Sequence, residues 1–510
     1  MGNTTIIIVF ACYMAVMIGV GLFFFKRNTN LSDYILGGRQ LNKWVAALSA
    51  QASDMSSWLL MGLPGLAYLS AKGAQEAIWT AIGLGLGSYL SWLFVAKRLR
   101  QYTYAANNSI TLPDFFENRF RDKSRVIKTV SSLFILIFFL LYTASMFKGG
   151  AVLFQTVFGI SYVQALTIGA VVLVLYTFLG GFIAVCWTDL LQGLLMVAAL
   201  VVVPIVAVTN LGGVDSMLAQ VDMSAFKLFP DGTGATISVM TVVSALAWGF
   251  GYFGMPHIVV RYMAIKKTRD IRSSRIIALV WIVISLTCAV IVGIVGKAYL
   301  HPELAAGAQE TVFIVMVTKM FPSVITGILL SAILAAVMST ADSQLLVTAS
   351  SISEDFYRPF IRKNASDKEL VWVGRISVIV VSVIAYFMAY NPESTIFELV
   401  AYAWAGLGSA FGPAVLFSLF WKRATKSGVI SGIVAGGLVA IGWKSVNMYI
   451  ASLTKAGAAV PAFLQSGVWS LYEMIPGVLI ATVLIVVISL LSKAPSQEIL
   501  DEFDRVKDVV

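Results

Sequence analysis

Inside an otherwise apolar run from Trp44 to Tyr68 stands Ala50-Gln51-Ala52-Ser53-Asp54-Met55-Ser56-Ser57-Trp58, followed by Met61-Gly62-Leu63-Pro64-Gly65. The run is long enough to cross a bilayer, yet it carries a carboxylate, four serines, two glycines and a proline. Hydrocarbon cannot hydrogen-bond such groups. Two resolutions exist: a proline kink with serines turned toward neighbouring helices, or a helix that unwinds near the midplane and offers freed carbonyls to an ion or substrate. A second run contains Ala247-Trp248-Gly249-Phe250-Gly251-Tyr252-Phe253-Gly254-Met255-Pro256. Glycine costs a helix about 1 and proline about 3 kcal/mol relative to alanine, so this run too is a poor helix. A third constellation is Ala336, Ser339, Thr340 and Ser343, which share one helix face at i, i+3, i+4 and i+7. Its hydroxyls either bond back to their own helix or supply hard oxygen ligands to a cation.

The elements that position these residues follow from composition. Hydrophobic residues make up 59% of the 510 residues and charged residues 12%, against about 25% charged in soluble proteins. Mean hydropathy is +0.86. The chain is therefore an all-α polytopic membrane protein, and thirteen apolar runs of about 20 residues can be placed. They lie near 4–25, 44–68, 75–96, 129–157, 162–183, 187–209, 237–258, 276–300, 323–350, 371–390, 397–420, 427–448 and 472–492. The shortest connections fall at Phe158-Gly159 and Gly180-Gly181, and twelve spans is the alternative.

Orientation comes from the basic residues. With the N-terminus outside, 29 of the 36 Lys and Arg fall in cytoplasmic segments or the tail, as the positive-inside rule requires. Lys26 and Arg27 follow the first apolar run rather than precede it, the reverse of a signal peptide. The net charge of +10 thus reflects topology, and no nucleic-acid module accompanies it.

Other functions find little support. Cys12, Cys186 and Cys288 are odd in number and lie in or beside apolar runs, unlike a disulfide or metal framework. His257 and His301 build neither H-E-x-x-H nor a Ser-His-Asp set, so no enzyme is expected. No phosphate-binding G-x-x-x-x-G-K-[ST] is present, and Gly83-Leu84-Gly85-Leu86-Gly87 reads as helix packing. Transport driven by an ion gradient remains, in a membrane-embedded chain with a small-molecule substrate and no protein partner called for.

Spans two to six and seven to eleven form two sets of five, each opened by an interrupted span. Because five is odd, the sets run in opposite senses, an inverted repeat. The chain resembles the sodium/solute symporter family, and within it the proline carriers. The resemblance rests on Asp33-Tyr34-Ile35-Leu36-Gly37-Gly38-Arg39, on Ser53 to Gly65, on Trp248 to His257, and on Ser331 to Thr340. Lys368 to Arg375, Tyr402 to Gly406 and Phe411-Gly412-Pro413 extend it across nearly the whole chain.

The resemblance implies a leucine-transporter-like five-plus-five fold: an extra span 4–25, repeats 44–209 and 237–420, two further spans within 427–492 and a cytoplasmic tail 493–510. It implies Na⁺ held by the backbone oxygens of Ala52, Met55 and Ala336 and the hydroxyls of Ser339 and Thr340. Asp54 and Ser56 lie in the same stretch. Asp54 either acts electrostatically on the ion, the favoured reading, or ties down the unwound segment. Some relatives hold a second sodium at positions matching Asp189, Asp342 and Ser343. Here one hydroxyl position is an acid, so either the pair binds an exiting cation or Asp342 pairs with a cytoplasmic arginine.

Trp58, Tyr142, Trp248 and Tyr252, with Pro256 shaping the break, would line the proline site. Singly, such aromatics pack cores or anchor interfaces; beside two breaks they suit a zwitterion with an apolar ring. Another amino acid, pantothenate or a sugar is the alternative cargo.

Overall fold

A computed structural model of the chain describes residues 2–25, 31–179, 181–232, 234, 236–390 and 394–508. Lys26, Arg27 and Gly180, used above for orientation and connections, lie outside them. The described residues are helical, with one isolated bridge between Leu41 and Ile265 and no strand. Ten helices are long and apolar enough to cross a membrane, and a bent pair makes eleven. The expected thirteen is therefore not reached. The run 44–68 is divided by its break, and Tyr162–Phe178 is apolar but short.

The first helix, α1 (Gly2–Phe25), packs against the later helix Ser323–Ser350. Helix α2 (Lys43–Ser57) starts where the Asn42 side chain accepts the Trp44 and Val45 N–H groups. It ends at a true break, because Ser56 sits at φ 52°, ψ −173°, a conformation costly for any residue with a Cβ. The Ser56 hydroxyl accepts the Trp58 N–H at 3.1 Å. A wide π-turn, Trp58–Gly62, leads into α3 (Leu63–Leu69). Gly62 and Pro64 are not themselves the break. Gly62 is helical at φ −65°, and Pro64 occupies a first turn, where its missing N–H costs nothing.

Ser70 caps α4 (Ala71–Leu90), and the long α5 (Val126–Phe158) ends on left-handed Gly159. Helix α6 (Phe182–Asn210) closes the first set. The second break separates α7 (Val239–Ala247) from α8 (Pro256–Met263). Between them run a tight turn Trp248–Phe253 and an extended Met255 at ψ 112°, and the axis bends by 43°. Then come α9 (Ile271–Tyr299), α10 (Ser323–Ser350) and α11 (Ile396–Phe420). A capping box of Thr395 and Glu398 starts α11.

The glycine run in α4 does pack, against the second break. A Cβ on Gly87 would stand 2.0 Å from the Gly249 carbonyl oxygen, and one on Gly83 would stand 2.7 Å from that of Leu246. The charged tail folds as the helix Gln497–Asp508 and is held to the body by Arg121–Glu502 at 2.5 Å.

Candidate functional site

The two breaks meet. The rings of Trp58 and Trp248 lie 5.2 Å apart at 31°. The Tyr252 hydroxyl donates to the Asp54 carboxylate, and the Tyr142 hydroxyl donates to the Asp54 carbonyl at 3.2 Å. One aspartate therefore fastens the first break to the second and to α5. This carboxylate tie runs to a side chain of the other break rather than to backbone groups of its own segment, and Asp54 also lines a cavity of about 10 Å³. Asp54, Met55, Trp58, Tyr142, Trp248 and Trp404 are among the cavity's lining. Such a space admits a water molecule and nothing larger. A solute enters only when the indoles part.

Pro256 does not join them. Its fixed φ starts α8, and it lines a separate cavity with Thr111, Ile135, Val260 and Ser350. The sequence could not distinguish a proline that ends a break from one that faces it.

Three aromatic residues that the sequence does not assign to the site join these rings. Phe397 lies 6.0 Å from Trp58 and 5.3 Å from Trp248, and Tyr472 stacks on Trp248 at 5.3 Å and 16°. Trp404 donates its Nε1–H to the Trp248 carbonyl at 2.8 Å and meets Tyr252 edge-on. With aromatic residues 12% of the chain, nothing in the sequence marks Phe397 or Tyr472, and Trp404 stands there only within the Tyr402–Gly406 match.

The hydroxyl stripe meets α2 directly. Ser339 donates to the Ala52 carbonyl at 2.9 Å, and its hydroxyl also lies 3.3 Å from the Ala336 carbonyl oxygen. Thr340 is fully buried, and its hydroxyl has no hydrogen-bond partner among the described residues. A buried orphan hydroxyl is unusual. The Met55 carbonyl already accepts the Trp58 N–H, with a second lone pair to spare. Two of the expected carbonyls thus meet at the Ser339 hydroxyl, and the next residue, Thr340, carries an unsatisfied one. These are neutral oxygens, and no group of three or more His, Cys, Asp or Glu that could hold a metal occurs among the described residues. This donor set suits a monovalent, oxygen-seeking cation.

The two deeper acids behave differently from each other. Asp189 accepts from Ser49 at 2.6 Å and pairs with Arg261 at 3.3 Å, with both charged side chains fully buried. Arg261 also donates to Ser49 at 3.1 Å, to Ser343 at 2.5 Å and to the His257 carbonyl at 2.7 Å, and it lies over the Phe182 ring. Helices α2, α6, α8 and α10 are joined at this one guanidinium. The expected alternative, Asp342 paired with an arginine, is not observed. The arginine takes Asp189 and Ser343, and neither Asp342 carboxylate oxygen has a hydrogen-bond partner among the described residues. Arg261 escaped notice because orientation counting placed it in a cytoplasmic loop, whereas it lies inside α8.

A family profile described as "Sodium:solute symporter family" matches residues 34–436. The sodium/proline symporter of Escherichia coli (strain K12) is 46% identical over 499 residues, covering 97% of this chain and 94% of that one. The high-affinity proline transporter PutP of Bacillus subtilis (strain 168) is 46% identical over 498 residues, 97% of this chain and all of its own. Among solved structures, a substrate-bound, outward-open Na⁺-coupled sialic acid symporter superposes with a TM-score of 0.77 at 21% identity. It covers 97% of this chain and 99% of its own. At that identity the likeness concerns the fold, which is the leucine-transporter-like fold expected from the sequence.

Proposed function

This chain belongs to the sodium:solute symporter family, and from that premise we infer that it couples inward Na⁺ movement to the uptake of L-proline. The carrying observation is the joint between the two breaks, in which Asp54 is bonded to Tyr252 and Tyr142 two residues from a carbonyl already held by Ser339. An ion at that carbonyl and a solute between Trp58 and Trp248 thus act on one short, strained segment.

In this reading Na⁺ is cargo. The oxygens of Ala52, Met55 and Ala336 and the hydroxyls of Ser339 and Thr340 receive it, each neutral, so that release costs little. The solute's carboxylate takes backbone N–H groups at the breaks, its ammonium takes aromatic faces or carbonyls, and its ring lies on indole. Pro256 shapes the second break from outside the cavity.

Alternating access follows from differential affinity. Na⁺ and proline bind the outward-open form, in which Trp58, Trp248, Phe397 and Tyr472 are apart. Closure brings these rings together as seen here. Release requires the Arg261 junction to loosen on the other side, which the distribution of basic residues places in the cytoplasm, with the N-terminus outside. Repeats 44–209 and 237–420 are the two moving sets.

Purified protein in proteoliposomes should accumulate labelled L-proline only under an inward Na⁺ gradient, and unlabelled proline should compete best among amino acids, pantothenate and sugars. Trp248→Ala should raise the half-saturating proline concentration about tenfold, the equivalent of one lost ring contact of roughly 1.4 kcal/mol, while Na⁺ activation stays within about twofold. Uptake without Na⁺, or normal proline affinity in the variant, would remove the substrate site from this cavity.

A further inference from the structure

A large apolar concavity lies on the face of α4 turned away from the second break. A groove of about 680 Å³ runs between α4 and α9, lined by Ile82, Gly85, Leu86, Tyr89, Val283 and Val290 among others, with Phe226 of the α6–α7 connection at its outer end. From Leu279 to Ile294 its α9 wall rises about 22 Å, most of the ~30 Å hydrocarbon core. Leu86 and Val283 are more than half exposed, so the groove faces the membrane.

Gly85 explains why it exists. Its neighbours Gly83 and Gly87 are packed against the second break, whereas a Cβ on Gly85 would meet nothing within 4 Å. The middle glycine of the run leaves space on the outer face of α4 that any larger residue would occupy.

The groove's inner end is charged. The Arg275 guanidinium lies over the Tyr89 ring, 5.6 Å from its centroid, one helical turn before Leu279. No carboxylate pairs with Arg275 among the described residues. Arg272 is exposed one turn earlier.

We propose that this groove holds one acyl chain of an anionic phospholipid of the cytoplasmic leaflet, with its phosphate on Arg275. An arginine at the interface, free of acid partners, is a phosphate receptor, and the cytoplasmic leaflet supplies anionic headgroups. The chain below it fills a cleft that side chains leave open. Because the opposite face of α4 is keyed into the second break through Gly83 and Gly87, the lipid braces the helix against which the solute site moves. The proposal depends on the membrane placement of α4 and α9 and not on which solute is carried.

The test uses the full chain in nanodiscs doped with phosphatidylglycerol or phosphatidylcholine, each bearing a photoreactive group on one acyl chain, with peptide mapping after illumination. Phosphatidylglycerol should label residues 78–89 and 279–294 about fivefold more than phosphatidylcholine, the ratio expected for one basic contact at the surface. Arg275→Gln should bring the two lipids level, and Gly85→Leu should abolish groove labelling by both. Na⁺-driven uptake in both variants reports that they are folded. Equal labelling by the two lipids in the unmodified protein, labelling only elsewhere, or chain-to-chain crosslinks through the groove would each overturn the proposal, whatever the variants do.

Discussion

Asp54→Asn is expected to keep the fold and raise the half-saturating Na⁺ concentration by about two orders of magnitude. The amide oxygen still accepts the Tyr252 hydroxyl, so the strap between the breaks survives. What disappears is the one carboxylate on the cavity wall, two residues from Ala52 and buried to 5% exposure. A unit charge about 5 Å from a cation in an effective dielectric near 20 contributes roughly 3 kcal/mol, which converts to about a hundredfold in affinity. Asp54→Glu keeps the charge but lengthens the side chain in a space with no room for it, so it should recover Na⁺ affinity only in part. The measurement is Na⁺ activation of proline uptake at fixed proline. An unshifted curve for the asparagine variant would leave Asp54 as a strap alone.

Arg261 carries the second large effect. Arg261→Met removes the counter-charge of a fully buried Asp189 and takes the guanidinium donors from the Ser343 hydroxyl and the His257 carbonyl. Losing one partner of a buried pair costs about 3–5 kcal/mol, a large fraction of the stability of a folded domain. Detergent-solubilised Arg261→Met should therefore melt well below the parent or fail to accumulate. Adding Asp189→Asn removes the stranded charge and should restore most of the loss. Thermal unfolding of parent, single and double variants reads this directly. A double variant as unstable as the single would show that the guanidinium acts through the α8 and α10 contacts rather than as Asp189's counter-ion.

The residues that interrupt apolar runs were the most legible part of the chain. Asp54 among serines and the Gly-Gly-Gly-Pro pattern after Trp248 are costly in a membrane helix, and both do mark the breaks. The exact turning point was not legible. Ser56 adopts a positive φ that its own type disfavours, and its hydroxyl accepts the Trp58 N–H in that conformation. Gly62 and Pro64, the small-residue-plus-proline pair of that run, are helical. Spacing alone put Ser339 and Thr340 on one face, and only the fold brings Ser339 against the Ala52 carbonyl. Arg261 shows the limit of counting charges, since a basic residue near a span end can turn inward to a buried acid. Phe397, Trp404 and Tyr472 come from distant parts of the chain and meet Trp248 or Tyr252 only through folding. The span count ran high because a broken segment and a short helix both read as apolar runs.

The most direct test is a Na⁺ titration of equilibrium L-proline binding to purified protein, unmodified and with Ser339→Ala. If Na⁺ sits between α2 and α10, removing a hydroxyl bonded to a charged ligand costs about 1.5–3 kcal/mol. The Na⁺ midpoint should then move upward at least tenfold while full proline occupancy is still reached at saturating Na⁺. A midpoint that stays in place, with proline binding either intact or weakened equally at every Na⁺ concentration, would contradict the account.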